Sequence, residues 1–174
     1  MSVELWDILD SHGNRTGKTA VRGTGVLKPG EYHLVVHIWI ISFDGRILIQ
    51  RRSTERKLMP GEWAATSGAV IAGESSFKAA QRELAEELGI KAEADNLFKL
   101  LRLKRKNSFL DVWLTFSDVK AEDLKLQKSE VDTVKWVKTD ELVSMIENGE
   151  FHNYGEHYFD SVFEKIDDIR GTVI

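Results

Sequence analysis

Between Tyr32 and Ser42 the chain is β-branched and aromatic almost without a break, which predicts a buried strand. Phe43-Asp44-Gly45 then supplies a turn, and Arg46–Arg51 returns as the second strand of a hairpin. Leu97–Arg105 and Phe109–Asp118 form another hairpin about Lys106-Asn107-Ser108, and Thr133–Lys138 reads as a last strand. Glu4–Asp10 is a short strand followed by the turn Ser11-His12-Gly13-Asn14, while Trp63–Thr66 and Ala69–Ile71 read as short strands on either side of Gly68.

Three segments carry helical signals. Ser75–Leu88 has a serine cap at its start and Gly89 as its stop. Thr139–Asn148 is expected to be capped by Thr139, with Asp140 and Glu141 in its first turn. In Glu156–Ile169 an apolar stripe runs through Tyr158, Val162 and Ile166. A few helices interleaved with strands predict an α/β fold, an α/β/α sandwich around a mixed β-sheet.

A chain of 174 residues suits one domain over residues 1–174. No apolar run reaches the ~18 residues of a membrane span, and the first residues lack a signal-peptide pattern. The absence of cysteine excludes disulfides, thiolate zinc sites and a cysteine nucleophile, and is compatible with a reducing cytoplasm. A net charge of −4 argues against general affinity for nucleic acid. Basic residues nevertheless cluster at Arg51-Arg52, Arg56-Lys57 and Arg102–Lys106, and acids at Glu83–Glu87.

On a regular helix Phe77, Ala80, Leu84 and Leu88 fall within about 80° and face the core, while Glu83, Glu86 and Glu87 fall within about 100° on roughly the opposite side. Three carboxylates at this spacing repel by about a few tenths of a kcal/mol per pair. They also crowd the helix end where the dipole disfavours negative charge. A divalent cation would reverse that repulsion, and oxygen-only donors suit Mg²⁺ or Mn²⁺. On geometry alone, metal binding and a solvated acidic face both stay open.

The wider pattern adds to this. From Gly68 through Glu74 to Arg82-Glu83-Leu84-Ala85-Glu86-Glu87-Leu88-Gly89-Ile90 the chain fits every fixed position of G-x5-E-x7-R-E-U-x-E-E-x-G-U, with U a bulky aliphatic residue. In this Nudix box, residues 68–90, the chain resembles the Nudix hydrolases. Flanking features carry the resemblance over roughly Tyr32–Leu142. It implies that Glu83, Glu86 and Glu87 are Mg²⁺ ligands, with a backbone carbonyl added at Gly68. It further implies that Arg82 orients Glu83 for catalysis and that Glu74 braces the loop. A further acid commonly joins from a later loop, for which Glu130, six residues before Trp136, is selected, with Glu122 and Asp123 as alternatives.

The implied activity is Mg²⁺-dependent hydrolysis of a diphosphate linkage in a nucleoside diphosphate derivative or similar small phosphorylated metabolite. Arg51 or Arg52 would grip the outer phosphate. A non-catalytic ligand-binding domain of the same fold is the alternative, and a homodimer is common in families of this kind. Within the family, Tyr32–Arg52 and Lys57–Trp63 are most similar to the isopentenyl-diphosphate isomerase branch, where His33 falls at a metal-binding histidine. That branch places a cysteine and a histidine where this chain has Ser67 and Ala69, so isomerisation is not expected. Tyr32, Trp39, Trp113 and Tyr154 could stack on a base or simply pack. Gly13–Thr19 resembles a phosphate-binding loop but is one residue too short, and reads as a polar turn. Arg102–Lys106 alternates with Leu101 and Leu103, as on a half-exposed strand.

Overall fold

The structure, a computed structural model, describes residues 3–24 and 27–173, without the side chain of Glu156. The long apolar run becomes β3 (His33–Ile41), which pairs in parallel along its whole length with β8 (Ser108–Phe116), from His33 opposite Ser108 to Ile41 opposite Phe116. Every residue of β8 is buried, as expected of a strand covered on both faces. Its one carboxylate, Asp111, is fully enclosed and held by Arg102 at 2.6 and 2.8 Å and by Lys99 at 3.0 Å. The basic run on β7 (Phe98–Lys104) therefore serves partly to balance a charge on its hairpin partner.

The other edge of β3 is shared. β4 (Ile47–Arg52) pairs with it only at Ile40 and Ile41, then diverges to pair with β5 (Trp63–Ala64), while β9 (Val131–Val137) runs along the opposite edge of β4 from Ile47 to Arg52. The vacated edge is taken by β6 (Thr66–Ala69), antiparallel to β3 from Val35 to Ile38. The segment expected as one strand over Trp63–Thr66 thus changes partners at Ala65, and Gly68 lies inside β6 rather than between strands. The mixed sheet forks between β4 and β6.

Alternation along β3 divides the core. Val36, Ile38 and Ile40 pack with Ala79, Ala80, Leu84 and Leu88 of the glutamate-bearing helix. Trp39 and Ile41 pack on the other face with Leu142 and Met145 of α2 (Thr139–Glu147) and with Tyr158, Val162 and Ile166 of α3 (Glu156–Val173). Each such large side chain contributes about 1.5–3 kcal/mol by leaving water. The result is an α/β/α sandwich. No helix among the described residues is long and apolar enough to cross a membrane.

Several local expectations need correction. Lys138, not Thr139, is the N-cap of α2, and no side chain bonds there. Arg15–Val21 is a strand, β2, antiparallel to β1 (Leu5–Leu9), so the polar segment read as a turn is mostly an exposed ribbon edge. Its side chains are nearly all exposed, which left no hydrophobic period to read. The helix after Ser75 is α-helical only over Ser76–Glu83 (α1) and winds as a π-helix over Leu84–Leu88 before Gly89 stops it at φ 72°.

Candidate active site

The π-winding and the fork meet at the glutamates. Glu83 and Glu87 do not face solvent opposite the core, because both are buried, Glu87 to 3% exposure. Only Glu86 is open, with about half of its side chain exposed. Glu83 is accommodated by Gly68: a Cβ there would lie 2.0 Å from its carboxyl carbon and from Oε1. Gly68 stands opposite Val36 on the α1 face of the sheet.

Arg82 organises the surrounding acids. It donates to both carboxyl oxygens of Glu74 at 3.0 Å, to Glu83 at 2.7 Å, to Glu86 at 3.3 Å and to the Ala69 carbonyl at 3.0 Å. Glu74 in turn accepts from the Ile71 amide at 3.2 Å, closing its own loop. The β1–β2 ribbon is tied to that loop: Gly73 donates to Asp7 at 2.8 Å, and Arg15 donates to the Glu74 carbonyl at 2.6 Å.

Among the described residues no cation is paired with Glu87. It accepts from the Gln50 amide at 2.9 Å, and Gln50 accepts from the Thr66 hydroxyl at 2.9 Å. Burial pushes both Glu83 and Glu87 up to about 7, against the opposing pull of Arg82 on the first and of Gln50 on the second. Two desolvated carboxylates one helical turn apart are costly as anions and would be stabilised by a hard divalent cation. The donor chemistry fits one, and the absent side chain at Gly68 lets the Glu83 carboxyl sit against the strand where it could serve as a ligand. In the present side-chain arrangement no three carboxylate or imidazole groups among the described residues converge to enclose an ion.

The two candidate arginines separate because neighbours on a strand point opposite ways. Arg51 is exposed, donating to the Gly61 carbonyl at 3.2 Å with Asp132 at 3.9 Å. Arg52 is buried to 3% exposure, donates to the Leu58 carbonyl at 3.1 Å and lies within electrostatic reach of Glu87, Glu130 and Tyr154. Glu130 is ion-paired with Arg56, and its charge helps raise Glu87. Glu122 and Asp123 are exposed on a separate 3-10 turn. The structure thus sets Gly68, Arg82, Glu83, Glu86, Glu87, Arg52 and Glu130 around one region and leaves Arg51 outside it.

His33 is not gathered with the glutamates. It stacks on Trp6 at 4.1 Å, its Nδ1 is enclosed without a partner among the described residues, and burial with nearby Arg105 and Arg22 lowers it to about 4. Trp39 and Trp113 are core residues. Arg56 stood in the sequence only as part of a basic cluster, and residues missed there include Gln50, Thr66 and Arg22, the last bonded to Glu4 and near enough to act on Glu83. Gln50 alone had a signal, as a polar residue continuing the apolar run Ile47–Ile49.

Residues 31–158 match the family model of the NUDIX domain. This chain belongs to the Nudix hydrolase family. An uncharacterised Nudix hydrolase of Listeria monocytogenes is 38% identical over 153 residues, 87% of this chain and 90% of that protein. Among solved structures, DR0079 from Deinococcus radiodurans superposes with a TM-score of 0.74, covering 86% of this chain and 93% of the other at 23% identity, which speaks to the fold. The isomerase branch is a more distant likeness. Isopentenyl-diphosphate Delta-isomerase of Streptomyces griseus is 34% identical over 87 residues, 49% of this chain and 44% of the isomerase. The family match begins after the β1–β2 ribbon that braces the Nudix box.

Proposed function

We propose that this Nudix hydrolase is a Mg²⁺-dependent diphosphatase, with Mn²⁺ as an alternative cation, that cleaves the diphosphate linkage of a nucleoside diphosphate derivative. The observation that carries the reading is the buried pair Glu83 and Glu87, desolvated carboxylates raised to about 7 beside a glycine that leaves room for one of them. Glu83, Glu86 and Glu87, with the Gly68 carbonyl, would hold the cation. When bound, it supplies Lewis-acid charge that offsets the phosphate oxygens and eases deprotonation of water.

The chain's own residues carry the remaining work. Water attacks one phosphorus, the bridging P–O bond breaks, and the departing phosphate takes the electron pair. The proton released from water goes to a carboxylate, either Glu83 or Glu130. Arg82 holds Glu83 in one orientation through a charged hydrogen bond, so little reorganisation accompanies the reaction. Arg52, rather than Arg51, is the arginine suited to grip the outer phosphate, because it lies within electrostatic reach of Glu87 and is withdrawn from bulk water. The test is release of phosphate or of a nucleoside monophosphate from a panel of nucleoside diphosphate derivatives, with and without Mg²⁺. Cation-dependent release is expected; no release from any member would overturn the reading.

A further inference from the structure

The β1–β2 ribbon lies outside residues 31–158, which match the family model, and the diphosphatase reading gives it no task. Its contact with the Nudix box is nevertheless polar and close. The contact falls on one turn, Ile71–Glu74, which leads from β6 to Ser75, the N-cap of α1. The Glu74 amide closes the turn on the Ile71 carbonyl at 3.0 Å, and Gly73 holds the third position at φ 82°, a value that suits glycine. The Ile71 amide donates to the Glu74 carboxylate at 3.2 Å. The two amides between them go to the ribbon: Ala72 donates to the Leu5 carbonyl and Gly73 to Asp7 Oδ2, each at 2.8 Å. All four amides of the turn are thus satisfied, two of them by a segment distant in sequence.

Arg15 completes the grip. Its Nε lies 3.1 Å from the same Asp7 oxygen, and its Nη2 donates to the Glu74 carbonyl at 2.6 Å. Asp7 and Arg15 together hold the N–H of Gly73 and the C=O of Glu74, the two ends of one short stretch of backbone. The pair forms where the β1–β2 register shifts between Asp7 and Leu9, an irregularity of the kind that re-aims a side chain. A salt bridge between partly exposed groups adds little stability by itself, so the geometry it imposes matters more.

From the turn the contacts run on to the catalytic glutamate. The two oxygens of the Glu74 carboxylate accept from Arg82 Nε and Nη2, each at 3.0 Å. The third guanidinium nitrogen donates to Glu83 at 2.7 Å. No contact in the series from Asp7 to Glu83 exceeds 3.2 Å. A fork bound at both oxygens fixes the guanidinium plane, so the position of Glu74 decides where Arg82 points and where Glu83 is held.

We propose that Asp7 and Arg15 are positioning residues of the hydrolase: they grip the turn before α1, set Glu74, and through Glu74 and Arg82 hold Glu83 in its working orientation. The proposal rests on the diphosphatase reading for the role of Glu83, and it extends the catalytic unit from the box to the ribbon. The ribbon is also fastened elsewhere. Leu9 and Tyr32 exchange backbone bonds at 2.7 and 3.0 Å, Trp6 stacks on His33 at 4.1 Å, and Lys104 donates to the Ser11 carbonyl at 2.6 Å. These fastenings reach β3 and β7 without touching the box. They keep the ribbon in place when Arg15 is changed, and a ribbon acting only as a clip would respond alike to the loss of either kind.

The experiment compares wild type with Arg15→Gln, Arg15→Lys and Lys104→Gln. Arg15 is half-exposed, so its replacement does not open the core. Hydrogen exchange at Arg82 Nε–H is followed by nuclear magnetic resonance without divalent cation. Hydrolysis of ADP-ribose or UDP-glucose, whichever is cleaved faster, is measured at saturating Mg²⁺. Arg15→Gln should speed exchange at Arg82 about tenfold or more, the scale of one charged hydrogen bond. It should lower kcat about ten- to a hundredfold, the usual cost of losing an outer partner of a ligand group. KM should stay within about twofold, because the pair is not placed against substrate. Arg15→Lys, with one donor group in place of a fork, should recover part of both losses. Lys104→Gln should leave both readouts at their wild-type values. Unchanged exchange at Arg82 in Arg15→Gln overturns the proposal, as does faster exchange with kcat retained, since the grip would then stop short of Glu83. An equal loss in Lys104→Gln overturns it too, by showing a clip. Absence of turnover in the wild type would sink the diphosphatase reading instead, and exchange at Arg82 would still decide whether the ribbon sets the box.

Discussion

The carboxyl group of Glu83 occupies the place where a side chain on residue 68 would begin, 2.0 Å from the Cβ position. The vacancy at Gly68 is thus filled by a functional group from the facing helix rather than by backbone flexibility. Gly68→Ala should push Glu83 out of its position while leaving β6 paired, since the displaced atoms are the end of a side chain. We expect hydrolysis to fall on the order of 10²-fold, the usual cost of misplacing a catalytic group, with the circular-dichroism spectrum retained. Near wild-type turnover would mean that Glu83 acts from some other position.

Glu87→Gln should lower hydrolysis by a factor on the order of 10³ or more while the fold persists, since an anionic ligand acts mainly on the transition state. The metal-free protein should report the same residue through stability. The folded pKa of about 7 lies above the ordinary 4.5, so the folded state holds its proton longer than the unfolded chain. The resulting destabilisation is absent below about pH 4.5 and complete above about pH 7. The variant should therefore melt roughly 5 °C above wild type at pH 8 and close to it at pH 4.5. Mg²⁺ should raise the melting temperature of wild type only, and an equal rise in a Glu86→Gln, Glu87→Gln double variant would move the cation elsewhere.

The burial of these glutamates also marks where the sequence stops being informative. β3 and β8 are legible because two-sided burial writes an uninterrupted apolar run, and the helix ends are legible from Ser75 and Gly89. A regular wheel, however, turns Glu83 and Glu87 away from the core. What buries them is the π-helical winding after Glu83 and the fork that brings Gln50 and Gly68 beneath. Neither is local. Arg51 and Arg52 are indistinguishable as a pair of letters, and only the pairing of β4 with its neighbours decides which faces the glutamates. The ribbon strand β2 is held by backbone pairing and by polar ties to the box loop, so it left no apolar trace.

The sequence points to Glu130 only through its spacing before Trp136, and the structure pairs it with Arg56 within electrostatic reach of Glu87. Two roles are separable. If Glu130 accepts the proton from water, Glu130→Gln should reduce kcat about 10²-fold or more with little change in KM, and should alter the acidic limb of the pH–rate profile. If it only positions Arg56, Arg56→Gln should reproduce the defect in both parameters. Matching kinetics for the two variants would remove Glu130 from catalysis and direct attention to Glu83 as the sole base.

The stack of Trp6 on His33 joins the ribbon to the first residue of β3, and it constrains stability in acid. His33 is lowered to about 4, first by burial and then by the charges of Arg105 and Arg22, whereas in the unfolded chain it titrates near 6.5. The unfolded state therefore takes up a proton before the folded state does. The stability contributed by the neutral ring is complete above about pH 6.5 and is lost as pH falls through that value towards 4. His33→Phe keeps a flat ring against Trp6 and removes the titration. Between pH 7 and pH 4.5 the melting temperature of wild type should fall roughly 5 °C further than that of the variant. His37, also lowered by burial, titrates in the same direction in both proteins and cancels from the difference. Thermal melts of the two proteins in one buffer series without divalent cation give the answer directly. Parallel curves would show that His33 is protonated as readily in the folded protein as in the unfolded chain, and that the ribbon does not seal it from water.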